Sequence, residues 1–352
     1  MRRAVVALLA FAGVALLVPA RASALPPGAH VQLFKGGLDS PVDMAYVPNT
    51  HKLFFTEKNT GAIRVILNGN LLATPCVDLD VVNDGERGAL GLALDPNYRA
   101  NHFLYVYFTK RSPLENRVTR FTVTHNRCTH SHPLITGIPS VAGYHNGGQL
   151  FFLGNKLFVT VGENHDPANA QNLHTRLGKV LRYNRDGSIP RTNPILGGRR
   201  TAIWSYGHRN GFGLTAKPNT KLLYETENGP NCDDELNHIM KGRNYGWGNG
   251  YVCGTDGVGP RPVAPLKRWT PTIAPTDPWW YRGRIKRMRG SIYMGDFNTG
   301  TLRRITLNRA GTAVRSISLT YHAPSGIIDV SSGPGRWLYF ATQTAIYRIV
   351  KN

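Results

Sequence analysis

The chain has 352 residues and a strongly basic composition, with 42 Lys and Arg residues against 21 Asp and Glu residues and a formal net charge of +21. Such a charge favours contact with anionic surfaces, for example wall polymers. The basic runs at 199–200 and 282–289 carry no nucleic-acid-binding motif, so we expect no specific nucleic-acid partner. No apolar run reaches the roughly 20 residues of a spanning helix, so we expect no transmembrane segment.

The N-terminus has the organisation of a secretory signal peptide. A positively charged start leads into an apolar stretch over 4–18, and small residues at 22–24 form a cleavage site. We therefore expect a signal peptide over 1–24, a single domain over 25–352, and a secreted or periplasmic protein. Removal of the signal takes away three arginines and leaves 39 basic residues against 21 acidic ones, a net charge of +18. An anionic surface polymer is a candidate partner at that charge.

Strand signals dominate the remaining chain, and no long segment keeps a helical period. One unit recurs, in which an apolar run, a turn and a second run ending in Thr or Glu follow one another. Its six copies are 43–49 with 52–57, 92–97 with 103–109, 149–153 with 156–160, 214–218 with 221–226, 291–295 with 301–307, and 327–330 with 337–342. Six copies predict an all-β, six-bladed β-propeller. A β-sandwich would share the turns, but one of this length would split into domains, and no linker is evident.

Polar loops fall between these units, where the loops of one propeller face would gather. Residues 144–149 (Tyr-His-Asn-Gly-Gly-Gln) place a histidine beside glycines that let a ligand approach the backbone. Residues 207–211 (Gly-His-Arg-Asn-Gly) offer a guanidinium and an amide, which suit the orientation of oxygen atoms. A lone loop histidine is more often structural, but the shared position of these motifs favours a functional site.

The acidic segment 225–237 holds five carboxylates of a chain that is poor in acid. Three of them are consecutive, at 233–235, and they repel one another unless a cation or basic groups lie among them. An Asn-Gly-Pro turn precedes them and can direct backbone carbonyls to a common point. Oxygen ligands of this kind suit Ca²⁺ better than zinc. The alternative interpretation is a solvated acidic turn.

Four cysteines in an exported protein allow two disulfides in three different pairings. Cys232 and Cys253 flank the acidic segment and the loop after it, so their pairing would brace the predicted metal site. Cys76 would then pair with Cys128. The cysteine spacing matches no zinc framework, and free buried thiols are the alternative.

The motifs, taken together and in order, resemble the soluble glucose/sorbosone dehydrogenase family of quinoproteins. The resemblance extends over most of the chain after the signal. It rests on the segments 85–93, 145–148, 178–182, 207–210, 227–230, 234–237 and 244–247. The resemblance implies a propeller that binds pyrroloquinoline quinone (PQQ) and Ca²⁺ on its upper face and oxidises aldose sugars at the anomeric carbon to lactones, with electrons passing to an unidentified acceptor.

The resemblance also implies a role for particular residues. His145 is the expected general base, and Arg209 and Asn210 are expected to contact quinone or substrate oxygens. The expected cofactor-binding set is Glu86, Tyr144, Arg209, Asn210, Gly229 and Pro230. The carbonyls of Gly229 and Pro230 would hold the Ca²⁺ that polarises PQQ. The expected metal-binding set is Gly229, Pro230, Asp234, Glu235 and Tyr245, the last three as a structural Ca²⁺ cluster.

The C-terminal part departs from the family pattern. Members of the family carry two arginines and a lysine that grip the PQQ carboxylates, whereas here residues 326–330 read Gly-Ile-Ile-Asp-Val and residues 295–300 lack the lysine. Arg282, Arg284, Lys286 and Arg287 are candidate substitutes from a neighbouring loop. The segment 295–300 resembles the Hedgehog-interacting-protein group of propellers. The second hypothesis is therefore a calcium-stabilised propeller that binds carbohydrate, wall polymer or protein without turnover.

Overall fold

The structure, a computed structural model, describes residues 25–352, so the predicted signal peptide lies outside the described residues. Strands make up nearly all of its regular structure. The strands of the first half are β1 (Ala29–Gly36), β2 (Pro41–Tyr46), β3 (Lys52–Glu57), β4 (Ala62–Leu67), β5 (Asn70–Leu71), β6 (Val77–Asp78), β7 (Ala89–Leu94), β8 (Phe103–Lys110), β9 (Glu115–Thr124), β10 (Arg127–Pro139), β11 (Leu150–Leu153), β12 (Lys156–Val161) and β13 (Lys179–Asn184).

The second half continues the same pattern of short strands. These strands are β14 (Ile195–Leu196), β15 (Arg199–Arg200), β16 (Ile203–Tyr206), β17 (Gly211–Ala216), β18 (Leu223–Glu227), β19 (Asp234–Ile239), β20 (Lys267–Trp269), β21 (Pro275–Trp280), β22 (Ile292–Asp296), β23 (Thr301–Leu307), β24 (Val314–His322), β25 (Ile327–Ser332), β26 (Leu338–Thr342) and β27 (Ala345–Lys351).

The described strands form seven antiparallel sheets; six of them are the blades of a propeller, and the seventh is the small hairpin of β14 and β15 within the blade 3 segment. Blade 1 is β2-β3-β4 with the short β5 and β6, blade 2 is β7 to β10, and blade 3 is β11-β12-β13-β16. Blade 4 is β17 to β20, and blade 5 is β21 to β24. Blade 6 combines β25, β26 and β27 with β1, so the first and last strands of the described residues close the ring. The prediction of an all-β, six-bladed propeller is confirmed.

The first strand of each blade lies nearest the axis; we call β2, β7, β11, β17, β21 and β25 the inner strands. Successive inner strands are neighbours around the ring. Each inner strand runs from the face that we call upper, and its hairpin partner returns to that face. Residues before an inner strand and after its partner therefore meet on the upper face. The turns within these hairpins lie on the opposite, lower face.

The predicted repeat matches the first two strands of five blades. In blade 5 the prediction was wrong by one strand, because its fifth copy corresponds to β22 and β23 instead of β21 and β22. The missed strand has the sequence Pro-Thr-Asp-Pro-Trp-Trp. Proline cannot donate a ladder hydrogen bond, which argues against a strand in a sequence pattern. The structure accommodates Pro275 and Pro278 by a shift of register between them.

Apolar side chains between neighbouring blades form the core. One cluster joins Phe54 and Val65 of blade 1 to Leu104 and Val106 of blade 2. Because each sheet packs against a blade on both sides, the middle strands are buried on both faces, as β3 and β26 show. The result is a rigid ring that holds the upper loops in place.

Helices are short throughout the described part. They are α1 (Tyr98–Asn101), α2 (Ala168–Gln171) and 3-10 turns at Lys286–Met288 and Pro334–Arg336. None of the helices within residues 25–352 has the length and apolarity needed to cross a bilayer.

Candidate active site

A cavity of about 490 Å³ opens on the upper face at the propeller axis. All six blades contribute to its wall. The side chains that line the cavity include those of Lys58, Glu86, Gln149, Asn210, Asn228, Asp277, Phe297, Ile328 and Gln343. Backbone also forms part of the wall, at Gly91 and Gly148. A Cβ atom on Gly91 would lie 2.0 Å from the carbonyl oxygen of Gly148, so a side chain there would push blades 2 and 3 apart.

His145 lies in the loop before β11 with a left-handed backbone, at φ 55°. Its side chain is buried, and its Nδ1 lies 2.7 Å and 2.9 Å from the two carboxylate oxygens of Glu163. An imidazole that donates its Nδ1 proton to a carboxylate keeps an unprotonated Nε2. Glu163 also accepts the backbone N–H of His165 at 2.8 Å, which fixes the carboxylate. His145 is therefore held in the tautomer that a general base requires.

Glu86 links the histidine loop to blade 4. Its Oε2 accepts the backbone N–H of His145 at 2.7 Å and the Nδ2 of Asn210 at 3.1 Å. The Oδ1 of Asn210 in turn accepts the backbone N–H of Gly147 at 3.2 Å. These bonds bring together residues from three blades that the sequence analysis placed in one site. Tyr144, by contrast, is 56% exposed at the rim of the site.

Arg209 projects from the loop before β17. Its Nη1 donates to the carbonyl of Asn228 at 2.8 Å, and its guanidinium lies 5.4 Å from the centre of a Trp247 ring. Burial lowers the pKa of Arg209, and the carboxylates of Glu163 and Glu86 oppose that shift. Its Nε and the Oδ1 of Asn228 are buried without a hydrogen-bond partner among the described residues. A donor and an acceptor are thus available for a ligand.

A buried charge cluster lies beneath Arg209. The Nδ1 of His208 lies 3.0 Å from a carboxylate oxygen of Glu225 and 3.0 Å from one of Glu227, and its Nε2 lies 2.8 Å from the hydroxyl of Ser205. Burial alone would lower the pKa of His208, but the two carboxylates outweigh it and raise that pKa to about 10. The other oxygen of Glu227 accepts the backbone N–H of Arg209. The two carboxylates therefore favour the protonated form of His208, and the cluster supports the Arg209 loop through Glu227.

The three consecutive carboxylates of the acidic segment do not converge. Asp233 accepts hydrogen bonds from Tyr251 at 2.8 Å and Thr270 at 3.0 Å. Asp234 accepts the backbone N–H groups of Gly229, Ile273 and Ala274. Glu235 accepts from Asn237 at 3.1 Å and lies 3.6 Å from Arg268. Asp233 precedes β19 with a left-handed backbone, and within β19 the successive residues Asp234 and Glu235 point to opposite faces, so each carboxylate finds its own protein donors.

The remaining residues of the predicted metal set occupy different surroundings. Gly229 is partly buried and Pro230 is exposed in the loop between β18 and β19. A Cβ on Gly229 would lie 1.9 Å from the carbonyl of Cys232, so the tight turn requires glycine. The ring of Tyr245 stacks on His208 at a centroid distance of 4.7 Å. The structure thus ties Tyr245 to the His208 cluster through its ring.

Both predicted disulfides, Cys76–Cys128 and Cys232–Cys253, are confirmed. The second bond closes the loop that follows the acidic segment, 21 residues apart in sequence. No free cysteine occurs among residues 25–352.

The prediction that basic residues of a neighbouring loop replace the missing PQQ-binding arginines and lysine was wrong. Arg282, Arg284, Lys286 and Arg287 lie in the turn between β21 and β22, which is on the lower face. On the upper face, Ile328 and Phe297 line the cavity from the two segments where the family pattern has cations. Lys58 lines the same cavity from blade 1.

Several residues of the site that no sequence motif indicates share one position in the blades. Each follows the end of a second strand: Lys58 after β3, Glu163 after β12, Asn228 after β18 and Gln343 after β26. The repeat could have indicated this position, because its second run ends in Thr or Glu where the chain reaches the upper face. The side chains differ from blade to blade, so no motif marks them.

Comparisons with known proteins identify the family of this chain. The family model described as Glucose / Sorbosone dehydrogenase matches residues 38–351. Quinoprotein glucose dehydrogenase B of Acinetobacter calcoaceticus is 34% identical over 276 residues, which cover 69% of this chain and only 57% of that protein. An oxidoreductase (glucose dehydrogenase) of Thermus thermophilus superposes with a TM-score of 0.83 at 30% identity, over 92% of this chain and 100% of the other.

A further relative has been solved with its cofactor. The PQQ-bound aldose sugar dehydrogenase of Streptomyces coelicolor superposes with a TM-score of 0.77 at 27% identity, over 92% of this chain and 99% of the other. The family match spans the histidine, arginine and acidic loops described above. This chain belongs to the glucose/sorbosone dehydrogenase family.

Proposed function

We propose that the protein is an exported PQQ- and Ca²⁺-dependent dehydrogenase that oxidises aldoses at the anomeric carbon to lactones. The observation that carries this proposal is the His145–Glu163 pair beside the upper cavity. It provides a base of fixed tautomer in the loop whose glycines, Gly147 and Gly148, line this ligand-sized cavity. The two disulfides favour an oxidising compartment, in keeping with export.

The residues around the cavity fit a planar, oxygen-rich anion such as PQQ. Lys58 lines the cavity and supplies positive charge, and Arg209 lies beside the wall, where it donates to the carbonyl of Asn228. The unpartnered Nε of Arg209 and Oδ1 of Asn228 supply a donor and an acceptor. Asn210 adds an amide that Glu86 and Gly147 hold in place. When bound, PQQ is the oxidant that would accept a hydride from the sugar.

The protein's own contribution to the reaction is proton transfer and orientation. Nε2 of His145 takes the proton of the anomeric hydroxyl, and the resulting imidazolium is stabilised by the carboxylate of Glu163. The guanidinium of Arg209 offers fixed positive charge to oxygen atoms that become negative. Glu86 holds the loops of His145 and Asn210 at a constant separation.

We assign the cofactor Ca²⁺ to the carbonyls of Gly229 and Pro230. Asp234 supports this assignment, because it fixes the backbone N–H of Gly229 at 2.8 Å and that of Ala274 at 2.7 Å across the loop. Asp234 then acts as a positioning residue for the carbonyls. Hard carbonyl oxygens are ordinary ligands of Ca²⁺.

A reconstitution experiment tests the proposal. Purified protein is titrated with PQQ in the presence of Ca²⁺, and turnover of a panel of aldoses is followed with an artificial electron-acceptor dye. We expect saturable PQQ binding and turnover, with His145→Ala inactive but folded. The matched control is His132→Ala, which changes an exposed histidine on the outer strand β10. Absence of PQQ binding at micromolar cofactor would reject the enzymatic function.

A basic basin on the lower face favours a second candidate function, binding of an anionic polymer. Two adjoining depressions of about 500 and 610 Å³ share Arg289 and Arg336, and Arg282 and Arg284 line one each. No acidic side chain lines either depression, and none of the four arginines forms an ion pair within residues 25–352.

Polymer binding is tested separately from turnover. We expect the protein to be retained by an immobilised polyuronate at low salt and released as salt rises, since screening weakens such contacts. Arg289→Ser combined with Arg336→Ser removes two charges from the shared wall and should shift release to lower salt. Arg199→Ser combined with Arg200→Ser removes the same charge elsewhere on the surface, and equal shifts in both double variants would reject the basin as the binding site.

A further inference from the structure

Three buried aspartates meet inside the central channel, below the upper cavity. Asp43, Asp277 and Asp329 lie on the inner strands of blades 1, 5 and 6, which are consecutive around the ring. One carboxylate oxygen of each lies within 4.8 Å of the others. Each aspartate stands at or beside a shift of register between its inner strand and the next strand. Such bulges redirect side chains, here towards the axis.

The negative charge of this aspartate triad is not balanced by protein groups. Asp43 accepts the backbone N–H of Leu92 at 2.6 Å, and Asp277 accepts that of Leu214 at 3.2 Å. Neither carboxylate oxygen of Asp329 forms a hydrogen bond of good geometry within the described residues, although this side chain is 0% exposed; Asp277 and the backbone N–H groups of Met44 and Val330 are near enough to act on it. No Lys, Arg or His of the described part forms an ion pair with any of the three.

An unpaired buried charge strongly destabilises the folded state. Protons or a cation must therefore accompany the triad when the protein folds. The channel offers room for a hydrated cation: a second cavity of about 260 Å³ lies below the triad and is lined by Asp43 and Asp277. Asp277 and Gln149 also line the upper cavity, so the triad stands between the two spaces. The hydroxyl of Ser331, buried without a partner among the described residues, adds an oxygen to the lower cavity.

We propose that Asp43, Asp277 and Asp329 bind a Ca²⁺ ion in the central channel, separate from the cofactor site on the upper face. All the available ligand atoms are oxygens, with no imidazole or thiolate among them, which suits a hard cation. Ca²⁺ accepts irregular sets of carboxylate, carbonyl and water oxygens, whereas Mg²⁺ requires a near-octahedral set. Gln149, Ser331 and water in the adjoining cavities complete such a set.

The position of the ion gives it a structural role at blade 6, where the ring of blades closes. Blade 6 contains the first and the last strand of the described residues, and blades 5 and 1 are its neighbours. A cation shared by one aspartate from each of these blades joins them from the inside. Its binding therefore stabilises the closed ring, in addition to the β1–β27 pairing on the outside.

The test uses the intact chain after exhaustive removal of metal by a chelator. Calorimetric titration with Ca²⁺ gives the number of bound ions, and thermal unfolding gives the increase in Tm at saturating Ca²⁺. We expect Asp329→Asn to bind one ion fewer than the wild-type protein and to lose part of the Tm increase. Because this substitution removes charge while keeping size, the metal-free variant should fold with a Tm at or above that of the metal-free wild type.

Two further variants distinguish the channel ion from a Ca²⁺ ion bound at the acidic segment 225–237. Asp43→Asn should reproduce the loss of one ion, since it removes a second ligand charge of the triad. Glu235→Gln lies in the acidic segment and should leave the channel ion and its Tm increase in place. A wild-type protein that binds no Ca²⁺, or an Asp329→Asn variant with an unchanged number of ions, would overturn the proposal and leave protons as the counter-charge of the triad.

Discussion

The Nδ1 atom of His145 lies 2.7 Å from Oε2 of Glu163, and the two residues come from different loops of blade 3. The histidine precedes the inner strand β11, and the glutamate follows its partner β12. The hairpin brings them together because an antiparallel pair returns the chain to the face from which it started. This relationship sets both the tautomer of the histidine and the position of its free nitrogen.

Replacement of Glu163 by Gln should lower kcat by about 10²-fold or more, because a neutral amide stabilises the imidazolium less than a carboxylate does. PQQ affinity should change little, since Glu163 reaches His145 and the backbone of His165 and does not line the cavity. Steady-state kinetics over a range of pH and a separate PQQ titration measure the two effects. Wild-type kcat in Glu163→Gln would show that the pair has no role in proton transfer.

His208→Gln should destabilise the fold by about 3–5 kcal/mol, because it leaves the buried carboxylates of Glu225 and Glu227 without their cation. Adding Glu225→Gln to this variant should recover part of the loss, since neither oxygen of Glu225 has a conventional hydrogen bond to lose. Urea unfolding at constant pH measures both values. Equal stability of the single variant and the wild type would mean that His208 is neutral in the folded protein.

The same cluster predicts the pH dependence of stability. The pKa of His208 rises from its ordinary value of 6.5 to about 10, and burial raises the pKa of Glu225 from 4.5 to about 7. Both groups bind their protons more tightly in the folded state, so their contribution to stability is complete at low pH and falls as pH rises. Relative to the His208→Gln/Glu225→Gln variant, the wild type should lose stability from pH 4.5 to 10. A constant difference over this window would contradict the pKa shifts.

Much of the fold was predictable from the sequence because each blade repeats the same local sequence pattern. An apolar run, a turn and a second apolar run specify a hairpin whose two strands are buried on both faces. The prediction failed at Pro275 and Pro278, where the pattern lacks ladder donors and the neighbouring blades, instead of local propensity, hold the strand.

The candidate site was only partly predictable, for a different reason. The loops of His145 and Arg209 were recognised because glycine and polar residues mark them locally. Glu163 and Lys58 were missed because they reach the site only when the second strand of their blade brings the chain back to the upper face. No local sequence motif marks the residues at this position. The acidic segment was interpreted as one cluster, yet strand alternation sends Asp234 and Glu235 to different partners. The aspartate triad was missed because its three members are far apart in sequence and meet only at the axis.

Charge at the upper cavity should control cofactor affinity. Ile328 is 7% exposed and lines the cavity where the family pattern has an arginine. Ile328→Arg should lower the Kd for PQQ by about tenfold or more, because a charge-assisted hydrogen bond to a carboxylate contributes about 1.5–3 kcal/mol. Lys58→Met should raise the Kd by a similar factor, since Lys58 is one of the cations at this cavity. Fluorescence titration of the metal-loaded protein with PQQ measures both changes.

Matched variants isolate the effect of charge from that of shape. Ile328→Met keeps a long side chain without the guanidinium, and Lys52→Met removes a lysine at the lower end of β3, the strand that Lys58 follows. Neither control should change the Kd for PQQ by more than a small factor. The gain from Ile328→Arg should also weaken as salt rises, because screening reduces the attraction between guanidinium and carboxylate. If Ile328→Met and Ile328→Arg bind PQQ equally well, the carboxylates of the cofactor do not face blade 6, and Lys58 and Arg209 would have to account for the electrostatic part of its binding.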